Sequence, residues 1–191
     1  DAIILDSENP ERVYKALLHQ PRPSTKTNIC FPAGTPVLTD QGKIAIDKLN
    51  SSYTIRGKEI IGISQTINTD DCLVSIEKGS LYKNVPSEDT LISANHGIMY
   101  QGKMVPARKL LGKVDGVNKV PDNGDVLYNV LMEKQDKMVV NNMIVETLNP
   151  KNVLARLYNG SMNEKQKEEY IKAYNAYHKE NKTFEANKLK R

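Results

Sequence analysis

Two short stretches hold the residues that could do chemistry: Cys30-Phe31-Pro32-Ala33-Gly34-Thr35, and Ser93-Ala94-Asn95-His96 about 65 residues further on. Cys30 follows a polar linker and opens a strand, a position from which its thiol can attack the carbonyl of its own preceding residue, Ile29. The amide nitrogen is a poor leaving group unless it takes up a proton as the bond breaks, and His96 is the side chain able to supply one. Taken singly, these residues say little. Free cysteines are mostly buried and inert, and a lone histidine is more often structural than catalytic. The three histidines, His19, His96 and His178, show no paired spacing, so they do not form a metal site, and the chemistry requires neither metal nor cofactor.

The elements that must position these residues are short strands. Thr35 to Thr39, Lys43 to Ile46, Tyr53 to Ile55, Ile60 to Ile67, Cys72 to Ile76, Thr90 to Ser93, Ile98 to Tyr100, Met104 to Pro106, Val126 to Glu133 and Met138 to Glu146 are β-branched or alternating runs between turn signals. Asp40-Gln41-Gly42, Gln101-Gly102-Lys103 and Asn123-Gly124-Asp125 supply turns, and Asn141-Asn142 suits a tight hairpin in the left-handed region. Ala107 to Leu111 is the one helical interruption. Before Cys30, Asn9-Pro10 caps a short helix ending near His19, followed by the linker Gln20 to Asn28, which has two prolines and no apolar residue. After Thr147 the period becomes helical. Asn149-Pro150 opens one helix that stops at Gly160, and Ser161-Met162-Asn163-Glu164 has the capping-box pattern for a second, with Tyr170, Ile171, Tyr174 and Tyr177 on one face. That stripe is expected to dock on the β body or on the Asn149 to Gly160 helix, the alternative being a surface for another protein.

At 191 residues and 39% apolar composition the chain holds one real core. With no Trp and two Phe, that core is expected to rest on Ile, Val, Leu and Tyr. The formal charge of +4 is uneven: residues 151–191 carry ten Lys and Arg against five Asp and Glu, leaving seventeen against eighteen elsewhere. A basic tail of this kind is a solvated helix face rather than a nucleic-acid footprint. Cys30 and Cys72, 42 positions apart, are not a disulfide framework, and Cys72 in an alternating strand is expected to be reduced and largely buried. No stretch reaches the length of a membrane span and no charged-then-apolar leader precedes Cys30, so localisation is undetermined. The chain begins with Asp rather than Met, as a fragment of a longer precursor would.

Taken in order, Cys-Phe-Pro-Ala-Gly-Thr, Ser-x-x-His, the strand Leu127-Tyr128-Asn129-Val130 and the final Val139-Val140-Asn141-Asn142-Met143-Ile144-Val145 are similar to the successive motifs of Hint domains, the self-cleaving modules of inteins and hedgehog proteins. The ordered set is far more specific than any member. The resemblance implies an all-β, horseshoe-shaped fold with pseudo-twofold symmetry over residues 30–147, an upstream precursor segment over residues 1–29 and a helical extension over residues 148–191. It maps the family's nucleophile onto Cys30, with Ile29-Cys30 as the scissile bond. The family's Thr-x-x-His falls on Ser93 and His96, with Ser keeping the hydroxyl. At Asn129 an amide replaces the family's usual acid, which removes a charge that helps protonation changes. Asn95, Asn129 and Asp136 are candidate supporting residues.

Two further departures define the kind of Hint domain implied. Splicing inteins end in His-Asn, because that Asn must cyclise, whereas this sequence reads Glu146-Thr147 and continues. Near the later intein histidine it has Gln135-Asp136-Lys137. What remains is an N-to-S acyl shift at Ile29-Cys30, giving a thioester resolved by water or another small nucleophile, with the chain's own N-terminal segment as substrate. The ending is similar to those of Hint modules from large DNA viruses. The competing expectation is a dormant Hint fold kept as an interaction or assembly module, with protein contacts through the C-terminal helices. An enzyme acting in trans is a third.

Overall fold

Alternating apolar and polar residues between turn-forming residues produce thirteen strands among the residues described by the computed structural model, which are 29–68, 70–150, Asn163, Lys165, Glu168 and Lys172. In chain order they are β1 (Phe31–Pro32), β2 (Pro36–Thr39), β3 (Gly42–Ala45), β4 (Thr54–Ile55), β5 (Lys58–Ile67), β6 (Cys72–Ile76) and β7 (Thr90–Ser93). There follow β8 (Gly97–Tyr100), β9 (Lys103–Pro106), β10 (Val117–Pro121), β11 (Val126–Met132), β12 (Lys137–Val140) and β13 (Met143–Glu146). They form three sheets with the orders β1-β11-β5-β4, β10-β6-β7 and β3-β2-β12-β13-β8-β9. The fold class is all-β, as the strand pattern implied.

Turn chemistry sets the hairpins. Asn141 and Asn142 adopt φ of +46° and +64° between β12 and β13, and Val140 faces Met143 across them. Two consecutive residues with positive φ match the right-handed twist of the strands they join, and asparagine tolerates that conformation better than most residues with a Cβ. The run Met138 to Glu146 is therefore two strands with that turn between them. Gln101 and Gly102, at φ of +50° and +76°, do the same between β8 and β9.

The strand expected to open at Cys30 is very short, and β10 was not foreseen. β1 is only Phe31–Pro32 and has no alternation to detect. β10 holds two valines among polar residues and ends in Pro121, which fits its place at a sheet edge, where a missing N–H costs no ladder bond. Two 3-10 turns, Ile46–Lys48 and Ala107–Leu110, replace the end of the expected Lys43 to Ile46 strand and the expected helix at Ala107 to Leu111. The N-terminal helix falls outside the described residues, as does the helix expected from Asn149 to Gly160 beyond Pro150. Of the second tail helix only Lys165, Glu168 and Lys172 are described, in helical conformation and exposed.

The core differs from expectation in one residue type. Phe31, Ile46, Ile60, Ile76, Ile92 and Ile98 are fully enclosed, and with them Met132, Met138 and Met143. The tyrosines Tyr53, Tyr100 and Tyr128 stay half-buried at its margin. A phenol needs a partner for its hydroxyl, whereas an unbranched thioether fills irregular space with no polar atom to satisfy. Both cysteines are free, and Cys72 is half-buried rather than enclosed.

Candidate active site

β1 places the Ile29–Cys30 peptide. Its pairing with β11 sets Phe31 opposite Tyr128 and Pro32 opposite Leu127, so one step back along the antiparallel register brings Cys30 opposite Asn129. β11 in turn pairs with β5, setting Asn129 opposite Ser64 and Leu127 opposite Thr66. Directly paired residues point to the same face, so Cys30, Asn129, Ser64 and Thr66 share one side of this sheet. On the other flank, β7 delivers Ser93 at its end. The Ser93 N–H donates to the Cys30 carbonyl at 3.0 Å, and the Cys30 N–H donates to Ser93 Oγ at 2.8 Å.

The peptide bond between Ile29 and Cys30 is thus held at both ends. Its nitrogen is bound by Ser93, and its carbonyl oxygen accepts from Asn129 Nδ2 at 2.5 Å. Asn129 Oδ1 accepts the Val130 N–H at 2.8 Å, which fixes the amide the right way round, because a backbone N–H can only donate. Ile29, Cys30, Ser93, His96 and Asn129 are all buried. The thiol lies in an apolar cluster with Leu73 and Leu127, 3.5 Å from Thr66 Oγ1. Burial pushes it up to about 11, with the Thr66 hydroxyl acting in the other direction.

His96 sits in the tight turn after β7, its ring 4.6 Å from that of Phe31, the residue after the cysteine. Nε2 lies 2.7 Å from the Glu146 carbonyl oxygen. That oxygen can only accept, so Nε2 carries the hydrogen and Nδ1 of the neutral ring carries a lone pair. Nδ1 is buried without a hydrogen-bond partner among the described residues. Burial lowers the ring to about 4, against the Glu146 carbonyl and the backbone of Cys30, which both favour the charged form. His96 is therefore neutral at physiological pH. It must collect a proton before it can give one.

The other candidates stand further out. Asn95 is half-buried beside His96, and the donor to the Ile29 carbonyl is Asn129 instead. Asp136 forms ion pairs with Arg56 and with Lys58, the latter at 2.7 Å, and Lys58 above all holds its carboxyl down to about 2. Its backbone N–H donates to Thr147 Oγ1 at 2.8 Å, so it reaches the site only through Thr147 and the neighbouring Glu146 carbonyl. Sequence reasoning missed Thr66. The signal was present, since Ser64 and Thr66 are hydroxyl residues at the enclosed positions of β5, where aliphatic side chains are the rule. Among the described residues there is no cluster of His, Cys, Asp or Glu that could hold a metal ion, and no helix long and apolar enough to cross a membrane.

No curated protein sequence matches the chain. Among solved structures, it is similar to a splice-inactive, glutathione-linked variant of the AceL NrdHF class 3 split intein, at 13% identity and a TM-score of 0.43, over 63% of this chain and 97% of that one. The family model of the Hint domain matches residues 29–152, starting one residue before the cysteine and running past the last strand. A match over that span, well beyond half of the chain, places this protein in the Hint domain family.

Proposed function

We propose that the chain cleaves itself between Ile29 and Cys30 by an N-to-S acyl shift, without intein-type splicing. The observation that carries this reading is the grip of Ser93 on the Cys30 N–H, with the neutral, enclosed imidazole of His96 beside the same residue. The thiol of Cys30 passes its proton to His96 Nδ1 as sulfur adds to the Ile29 carbonyl carbon. The carbon–nitrogen bond then breaks, and the same proton moves from His96 to the departing nitrogen. The product is a thioester on Cys30 with a free α-amine. Water hydrolyses it, leaving a carboxylate on Ile29 and restoring the thiol. Glu146-Thr147 stands in place of His-Asn, so the asparagine whose side chain would cyclise is missing from that position, which supports cleavage rather than splicing.

Mass spectrometry of the full chain, incubated with and without dithiothreitol, tests this. The expected result is a fragment ending at Ile29, carried as a dithiothreitol thioester or its hydrolysis product, and absent from the Cys30→Ala chain. A cut at Ile29 that survives in Cys30→Ala overturns the thioester route. The second reading is a dormant Hint-fold module kept for interaction or assembly. It is favoured by the enclosure of the Cys30 thiol and its rise to about 11, and a full chain that stays intact with thiol present supports it.

A further inference from the structure

Asn129 stands where the family resemblance leads one to expect an acid, and its geometry gives the replacement a use. We infer that Asn129 is a catalytic residue, the donor that binds the Ile29 carbonyl oxygen and stabilises the negative charge gathering there as the Cys30 sulfur adds. The inference rests on the acyl-shift reading above. Three observations carry it. The first is contact: Nδ2 lies 2.5 Å from the oxygen of the carbonyl under attack. The second is orientation. The Val130 N–H holds Oδ1 at 2.8 Å, so the amide cannot present its oxygen to the carbonyl without leaving that N–H unpaired. The third is burial, since Asn129 and Ile29 are both enclosed and water does not compete for the developing charge.

A carboxylate in this position would aim a second lone pair at the carbonyl oxygen. It would repel the charge it faces and could help only when protonated, with its O–H directed at Ile29. An ionised acid would therefore be harmful here. Asn129 forms and breaks no covalent bond. Sulfur–carbon bond formation, carbon–nitrogen cleavage and the proton relay through His96 remain as described.

Two measurements on the full chain test this. In the first, the Cys30→Ala chain, which cannot undergo the shift, is labelled with 13C at isoleucine carbonyls and 15N at alanine. Only two isoleucines then precede an alanine, Ile29 at the substituted position and Ile44 before Ala45, so only their carbonyls carry a bonded 15N. Adding Asn129→Leu should move the Ile29 carbonyl resonance upfield as its hydrogen bond is lost. The Ile44 resonance should stay in place, which reports that the fold survives. In the second, cleavage rates are compared in chains that keep Cys30. Asn129→Ala should be slower by about 10²- to 10³-fold, the usual cost of losing one oxyanion donor. Asn129→Asp should be slower as well, and increasingly so as pH rises and the carboxyl ionises. An Asn129→Asp chain that cleaves as fast as the parent or faster at pH 8 overturns this inference alone. An Ile29 resonance that does not move does the same. A parent chain that never cleaves overturns the acyl-shift reading and this one with it.

Discussion

Two groups at the site are shifted in opposite directions by the same cause. Burial raises Cys30 to about 11 and lowers His96 to about 4, so between those limits both the thiol and the imidazole rest neutral. The proposed acyl shift would begin from that neutral state, which sets the expected pH profile. The cleavage rate is expected to be flat from about pH 5 to pH 10 and to fall as the pH drops through about 4, where His96 charges and can no longer accept the thiol proton. A rate that instead falls with a midpoint near 6.5 would mean that His96 titrates as an exposed imidazole and is not enclosed at the moment of reaction. His96→Ala should slow cleavage by roughly 10²- to 10⁴-fold, the usual worth of a positioned acid–base group. Ser93→Ala should slow it less, because the Ser93 N–H still holds the Cys30 carbonyl. A gel time course on the two variants orders them.

At the scale of elements, the site depends on short strands held in register by turns. The β12–β13 hairpin supplies the Glu146 carbonyl that fixes the His96 tautomer, and the two asparagines at its tip set its register. Asn142 sits at φ +64° and donates from Nδ2 to the Asn84 carbonyl at 3.1 Å. Asn142→Val places a β-branched side chain in that conformation and is expected to destabilise the chain by about 1–3 kcal/mol. Asn142→Gly, which accepts the conformation without strain, is expected to cost less, chiefly the lost side-chain bond. Urea midpoints for the two variants decide the matter, and equal losses would show that the side-chain bond rather than the backbone sets the cost. β1 illustrates the opposite situation. Two residues with no pattern of their own are placed by β11 on one side and, on the other, by the Ser93 bonds to Cys30 and the His96 ring against Phe31.

For the molecule as a whole, the buried histidine makes stability depend on pH. Folded His96 titrates at about 4 and an unfolded histidine near 6.5, so below about 6.5 the unfolded chain binds a proton that the folded chain refuses. The stabilisation is fully present above that value and is lost as the pH falls toward 4, reaching about 3 kcal/mol if His96 acted alone. Urea midpoints of the non-cleaving Cys30→Ala chain should therefore drop steadily between pH 6.5 and 4. In a chain that also carries His96→Gln that part of the drop should disappear. An equal drop in both chains would assign the acid sensitivity to other groups.

Local signals in the sequence determined the all-β class, most strand positions, the Asn141-Asn142 hairpin and the order of Cys30, Ser93 and His96 along the chain, because alternation, turn residues and motif order are written between near neighbours. Only the tertiary structure decided what Asn129 faces, which nitrogen of His96 carries the hydrogen, and that Thr66 lies against the thiol. Those contacts join Asn129 to Ile29, Glu146 to His96 and Thr66 to Cys30 across 100, 50 and 36 positions of chain. No periodicity reaches across such separations. Asn129 looked like a lost charge in the sequence because the resemblance supplies the residue type usual at that position but not the atom it points at. Its direction is set by the Val130 N–H and by the register of β1 on β11, which exist only once the sheet has formed.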